Sequence, residues 1–421
     1  MANFDIEKVR SEFPALAKGQ VFFDNAGGSQ TLGTVIDAIR DYLLQSNVQL
    51  GATYKTGQLA TESYNAGYAA GARYFNADVS EIVFGPSTTQ LLRNLSSTLT
   101  FTEGDEIIVS RIDHEANIAP WVSLASRQKL ILKWWTPTSS PSPSPSSNTD
   151  NNNNNIDMQL LAKDLTPLLT PRTRLVAFTH VSNIFGTIAS VPNISAAVRS
   201  GPSPNALVIG DGVSYAPHRS SIDVRALDVD VYAFSWYKVF GPHIAMLYAS
   251  KRAQGEMRQS LGPFFKKGDT LEEKIGLAGA SYELLASIPR ITTYLQRISS
   301  SSRQHEEALQ KTLLSYLVSR PDIVVYGDVT GDPDIRVPTV SFRVAGWDSR
   351  VVVETIEGAE SDLGFRWGSF YSVRLVRDIL GLGDDGVVRV SLAHYNSLDE
   401  VKRFIEALEK YVPRKNKDSR L

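Results

Sequence analysis

The stretch Val231-Tyr-Ala-Phe-Ser-Trp-Tyr-Lys238, followed at once by Val-Phe-Gly241-Pro242-His243, decides how this chain is read. Its apolar, β-rich composition marks a buried strand that runs into a Gly-Pro turn. An ammonium at that junction is poorly placed for water. Desolvation lowers a lysine's pKa and turns it into a usable nucleophile or base. Taken alone, Lys238 is better explained as a lysine snorkelling off a strand end. The surrounding segments reverse that preference.

Ala206-Leu-Val-Ile-Gly-Asp211-Gly212 reads as a buried parallel strand ending in a carboxylate, 27 positions before Lys238. Arg174-Leu-Val-Ala-Phe-Thr-His180-Val-Ser-Asn183 ends the same way. Glu81-Ile-Val-Phe-Gly85-Pro-Ser-Thr88-Thr89 leads from a strand into a helix expected from about Thr89 to Leu99, and Glu106-Ile-Ile-Val-Ser110 leads to Asp113-His114. Polar residues at the C-terminal ends of such strands line the ligand crevice of an open α/β sheet. Read singly, Asp211 is a turn residue, His114 an N-cap neighbour and Arg389 a surface charge. Read together, they describe one site.

This order of motifs resembles the fold-type-I enzymes of pyridoxal phosphate, and within them the class V aminotransferase group. That group holds cysteine desulfurases, selenocysteine lyases, isopenicillin epimerases and kynureninases. The resemblance runs from Phe22-Phe-Asp24-Asn25-Ala26-Gly27-Gly28 to Arg389-Val-Ser391-Leu-Ala-His-Tyr395-Asn396. It implies an α/β fold with a mostly parallel central sheet in a large domain and a smaller C-terminal α+β domain. It also implies roles. Lys238 would carry pyridoxal 5'-phosphate as an internal aldimine and move the α-proton. Asp211 would pair with the pyridine nitrogen, making the ring an electron sink. His114 would stack on the ring and Asn183 would bond its phenolic oxygen. Thr88, Thr89 and Ser235 would hold the phosphate, the threonines at a helix N-terminus. Arg389 would grip the substrate carboxylate, with Asn25, Ala26, Arg366 and Tyr371 around the substrate.

The chain also departs from that pattern. It contains no cysteine. The desulfurase Arg-x-Gly-x-x-Cys stretch reads Arg366-Trp-Gly-Ser-Phe-Tyr371 here, and a phenol of pKa about 10 cannot carry a persulfide. Thiol-dependent desulfuration is excluded. The family's Asp-Gly-Ala-Gln becomes Asp211-Gly-Val-Ser214, and Tyr237 replaces the histidine before the lysine, where it can still donate to a phosphate. Ser214 and Tyr237 stay among the residues expected at the cofactor. Cysteine-poor members of the group include epimerases and a fungal loline-type cyclase of alkaloid metabolism that closes a ring by a Mannich reaction. The expectation is therefore a lyase or cyclase acting at Cα of an amino acid through an external aldimine and quinonoid. An epimerase, a thiol-independent desulfurase-like lyase, an aminotransferase and a non-catalytic cofactor binder follow in rank. Trp236, Trp367, Tyr54 and Phe370 suggest an aromatic-lined pocket, with core packing an equal explanation for each. Tyr371, Tyr54 and His243 are the candidates for an epimerase's second base.

With 421 residues and a formal net charge of −2, the chain has ample length for a large core and no basic field for nucleic acid. No metal-ligand spacing occurs, and His180, His218 and His394 read as structural. No apolar run approaches the ~20 residues of a membrane span. The start lacks a signal peptide's apolar core, so a cytoplasmic enzyme is expected, with Ser419-Arg420-Leu421 a loose peroxisomal resemblance. Residues 1–20 are expected to pack on the small domain. Residues 21–261 should form the large domain, with 138–155, rich in Ser, Pro and Asn, a disordered insertion, and 262–421 the small domain. A homodimer is implied by the resemblance, with Gly276 to Tyr282 reaching across. Gly381-Leu-Gly383-Asp-Asp-Gly386 matches a dinucleotide fingerprint but precedes a strand, and reads as a turn.

Overall fold

Leu175 and Ala177 pack with Leu207, Ile209, Val231 and Ala233 in one core, while Val176 and Phe178 pack with Val208 and Phe234 in another. Successive side chains of a strand face opposite ways, so these runs belong to a sheet covered on both faces. The computed structural model describes residues 4–137, 139–140, 155–262, 268–276 and 279–414. Its central sheet has seven strands, ordered Ile82–Gly85, Ala245–Ala249, Val231–Ser235, Leu207–Asp211, Thr173–Thr179, Glu106–Ser110 and Ile131–Trp135. Ala245–Ala249 alone among these runs antiparallel to its neighbours.

A third core, around Leu313, Val340, Phe342, Val390 and Phe404, belongs to the C-terminal region. Its sheet joins Arg366–Gly368, Val387–Ser391, Thr339–Val344 and Ile323–Tyr326. The strands at Thr339 and Val387 and the helix Leu398–Tyr411 fall where the sequence pattern puts them. Gly381, Gly383 and Gly386 all have positive φ, as a turn there needs.

Two further strands of this smaller sheet bound the region expected to be disordered, Ser139–Ser140 inside its start and Asn155–Met158 beginning at its last residue. Asn155 and Ile156 pair in parallel with Val325 and Tyr326, and Ser139–Ser140 pair antiparallel with Asp157 and Met158. The edges of the 138–155 insertion are thus held by backbone pairing, which its polar composition does not forbid. Thr138 and 141–154 lie outside the described residues. So do 277–278 of the stretch expected to reach a second subunit, and the terminal Ser419-Arg420-Leu421. Val21–Phe22, at the start of the expected large domain, pairs with Leu363–Gly364 of the C-terminal region.

The N-terminal segment is tied down on residues of both expected domains. Arg10 donates to Tyr395 O at 2.8 Å and pairs with Glu400 at 2.7 Å. Phe13 is buried against Phe240, Tyr294 and Tyr395.

The segment from Tyr282 to Ser319 is one 38-residue helix with Pro289 inside it. Pro289 has no N–H to return to the Leu285 carbonyl. Gly67 of the packed helix Lys55–Phe75 lies against that carbonyl, where a Cβ would come within 2.4 Å of Leu285 O. The carbonyl that the proline leaves without its helical donor is therefore covered by the packed helix.

Candidate active site

Five strand ends of the central sheet open onto one cavity. Thr88, Thr89, His114, Asn183, Asp211, Ser214, Ser235, Tyr237 and Lys238 line it together, joined by Ser87 and Thr179. All nine residues expected at the cofactor meet there.

Lys238 does not end the strand. Val231–Ser235 stops three residues earlier, and a single 3-10 turn, Trp236–Lys238, follows. That turn sends Trp236 into the core beside Phe234 and Tyr74 and turns Lys238 to the cavity. Trp236 is therefore core, not pocket. The Lys238 ammonium is buried, and burial, with help from the Arg389 charge, lowers its pKa to about 8. The chain leaves through Phe240 at φ 61, a left-handed conformation rare for an aromatic residue.

Asp211 is equally buried, and burial raises its pKa; the Val213 N–H, at 2.9 Å, and Lys238 oppose that rise. A buried carboxylate held by the Val213 N–H suits a cationic partner in the cavity. His114 accepts from Ala116 N at 3.0 Å through Nδ1, so the ring proton sits on Nε2. Burial, then the charges of Lys238 and Arg389, lower its pKa to about 4, and a neutral imidazole results.

The helix Thr88–Thr98 is capped by Ser87, whose Oγ accepts from Gln90 N, so the first-turn amides of Thr88 and Thr89 need another acceptor. Thr88 Oγ1 and Ser235 Oγ lie 2.8 Å apart at the same end. Hydroxyls, free amides and the helix dipole together form an anion cradle. An aldehyde-reactive lysine, a carboxylate for a ring nitrogen, a flat neutral imidazole and this cradle fit pyridoxal phosphate.

Several polar groups expected at the substrate and cofactor are bonded within the protein. Asn25 is spent on the protein: its amide donates to Ser391 O and Phe22 O, both at 2.8 Å, and its oxygen accepts from the Tyr395 hydroxyl. Ala26 N is bonded to Ser391 Oγ at 2.8 Å. Both residues thus join the segment after Val21–Phe22 to the C-terminal sheet, and both line a second, small cavity with Ser214 and Lys238. Asn183 is held at both ends, its Nδ2 donating to Phe370 O at 2.9 Å and its Oδ1 accepting from Ser372 Oγ at 2.7 Å. One amide hydrogen remains for a cofactor oxygen. Tyr371 is 72% exposed, and its ring stands 5.3 Å from that of His114 at the cavity mouth.

Arg389 is fully buried, stacked 3.7 Å over the Phe370 ring. Burial lowers its pKa to about 10, which still leaves it charged. Its Nη2 donates to Asp24 Oδ1 at 2.9 Å, while Nε has no partner among the described residues. Arg366 Nε meets the other Asp24 oxygen at 2.5 Å. In the sequence Asp24 stands only as part of the Phe22–Gly28 motif, and nothing in its neighbours signals an ion pair 365 residues away.

Asp113 likewise escapes sequence reasoning. It is buried beside His114, accepts from Thr179 N at 3.0 Å and from Asn117 Nδ2 at 2.7 Å, and is pushed upward in pKa by burial and by Asp211. His180, His218 and His394 are structural as expected, bonded to Tyr232, Glu306 and Tyr294.

The model of the family described as aminotransferase class V matches residues 21–404. The chain belongs to that family. Members of the class V family use pyridoxal phosphate, and this chain is a pyridoxal-phosphate-dependent class V enzyme. It is 50% identical to the aminotransferase-like protein FGM3 of Gibberella zeae, over 97% of this chain and 98% of that protein. It is 36% identical to the cysteine desulfurase-like protein ustD of Aspergillus flavus, over 97% and 91%. The cysteine desulfurase of Thermococcus onnurineus NA1 superposes with a TM-score of 0.82 at 24% identity, covering 97% of this chain and 99% of that one. That last likeness shows the shared α/β fold. Among the described residues, no helix is long and apolar enough to cross a membrane.

Proposed function

We propose that this class V enzyme acts at Cα of an amino acid as a lyase or cyclase of fungal specialised metabolism, including Mannich-type carbon–carbon bond formation. The observation that carries this reading is the pairing of a complete cofactor cavity with Tyr371 in place of a thiol. Pyridoxal phosphate supplies an electron sink for the pair released at Cα.

The residues divide the remaining work. Thr88, Thr89 and Ser235 hold the phosphate, and Asp211 keeps the ring nitrogen protonated. Neutral His114 would face a bound ring without adding a competing charge. Arg389 receives the substrate carboxylate through its free Nε and the spare hydrogen of Nη2. A buried, two-point grip fixes which Cα bond faces the ring. Lys238 Nζ, its pKa lowered by burial to about 8, then takes or returns the Cα proton. Tyr371 and the Phe370 backbone narrow the mouth and exclude water.

An epimerase is the second reading. It needs a base opposite Lys238, and two of the three candidates stand beside a cavity residue, Tyr371 with its ring 5.3 Å from that of His114 and His243 next to Tyr237. His243 stacks on Tyr237 at 4.7 Å and Tyr54 is 55% exposed, and neither lines the site.

The test is turnover of an amino-acid panel in heavy water. Cα deuterium in recovered substrate supports a start by deprotonation, and deuterium confined to a decarboxylated product supports decarboxylation. Inverted, deuterated amino acid selects the epimerase. Faster amino transfer to a keto acid refutes the lyase and cyclase reading.

A further inference from the structure

Asp24 is a carboxylate set between the two arginines of the substrate end. Its Oδ1 takes the Arg389 Nη2 bond at 2.9 Å and its Oδ2 takes Arg366 Nε at 2.5 Å. Phe370 lies under both guanidiniums, 3.7 Å from Arg389 Cζ and 5.4 Å from Arg366 Cζ. The fit is close: a Cβ on Gly27 would stand 2.6 Å from Arg366 Nη2 and 2.7 Å from Asp24 Oδ2. Arg366 is half exposed and Arg389 is not, so the pair presents one buried cation and one at the rim.

Two guanidiniums and one carboxylate leave a single positive charge, and one substrate carboxylate cancels it. Arg389 can receive that carboxylate without expelling Asp24, because Nε has no partner among the described residues and Nη2 carries a second hydrogen. Arg366 is by then already neutralised. A second carboxylate on the substrate would meet Asp24 and no uncompensated cation, in a partly desolvated place where like charge is costly.

We propose that Asp24 is a specificity-determining residue that restricts the Arg389–Arg366 pair to amino acids with one carboxylate. This rests on the reading of Arg389 as the carboxylate clamp. Without Asp24 the same two arginines would form a dicarboxylate site. Asp24 also bridges the two cations, bonding one guanidinium with each of its oxygens.

The experiment measures binding of propionate and succinate to the holoenzyme through the cofactor's visible absorbance. Asp24→Asn is expected to raise the succinate-to-propionate affinity ratio roughly tenfold. An unchanged ratio, or an equal gain for both, overturns the proposal. Arg366→Gln provides an arm that does not depend on Asp24→Asn folding. Because Arg366 is already consumed by Asp24, both anions should weaken by the same factor, and a loss confined to succinate overturns the proposal. Arg389→Ala separates the underlying reading: it should abolish both spectral responses, and unaltered propionate binding refutes the clamp itself.

Discussion

Ser372 fastens to Asn183 across the cavity mouth, its hydroxyl donating to Asn183 Oδ1 at 2.7 Å, while Asn183 Nδ2 returns to Phe370 O at 2.9 Å. One residue beside the central sheet thereby holds the loop that stands where the family keeps its thiol. Phe370 and Tyr371, at φ 50 and 62, are both left-handed, a costly conformation for side chains of that size. Ser372→Ala removes one arm of this fastening, worth about 1 kcal/mol. We expect a several-fold rise in KM for the amino acid with little change in cofactor affinity, measured by steady-state kinetics and fluorescence titration.

The strain at Tyr371 is separable from its function. The side chain is 72% exposed, so little packing is lost on truncation. Tyr371→Gly should stabilise the protein by about 0.5 kcal/mol, the relief of a left-handed residue less the entropy cost of glycine. Turnover should fall in the same variant. A lower melting temperature, or full activity, would show that Tyr371 packs more than it works.

Lys238 should announce itself by pH. Its ammonium loses its proton at about 8 instead of the ordinary 10.5, because burial penalises the charge. Capture of pyridoxal phosphate by the apoenzyme needs the free amine, so its rate should rise through pH 8 and level off above. Between 8 and 10.5 the unfolded chain binds the proton that the folded chain has released, so this group makes stability rise with pH across that window. Borohydride reduction of the holoenzyme should fix the pyridoxyl group on Lys238, and Lys238→Ala should abolish the label. A midpoint near 10.5, or labelling elsewhere, contradicts the assignment.

These sites differ in how far the sequence discloses them. The strands Val231–Ser235 and Leu207–Asp211 are buried on both faces, so they stand out as unbroken apolar runs ending in polar residues. Lys238, Asp211 and His114 follow from that local grammar. Asp24 and Asp113 do not, because Arg389 lies 365 positions from Asp24 and Thr179 lies 66 from Asp113, and no short pattern encodes such a pairing. Asn25 carries a family motif, yet its bonds to Ser391 and Tyr395 come from the fold. The strands at Ser139 and Asn155 are two and four residues long, too short for an apolar period to show in the sequence.

The backbone pairing of those two strands makes the insertion divisible. Replacing 141–154 by a linker of about four residues, enough for a hairpin loop, should leave melting temperature and activity unchanged. None of the proposed site residues belongs to that stretch of sequence. Extending the deletion through Asn155–Met158 is different. It removes the partner of Val325 and Tyr326 and the Asp157 carboxylate that accepts from Thr187 at 2.8 Å. The wider deletion should lower the melting temperature by several degrees, and equal stability of the two variants would mean that the edge strands add nothing.

Asp113 offers the sharpest separation of support from chemistry. It touches no expected ligand, yet it holds Thr179 N and Asn117 Nδ2 from within the wall that carries His114. Asp113→Ala strands two buried donors, at roughly 1–3 kcal/mol each. Asp113→Asn keeps the shape and one acceptor, so it should cost about half as much, and it removes a carboxylate that is coupled to Asp211 by like charge. If Asp113 only braces the wall, both variants lose stability in that order and the pH dependence of the cofactor spectrum stays put. If its charge also tunes Asp211, Asp113→Asn should move that dependence to lower pH, because a carboxylate relieved of a like charge ionises more easily. Thermal melts and a spectral pH titration on the same two proteins decide between these outcomes.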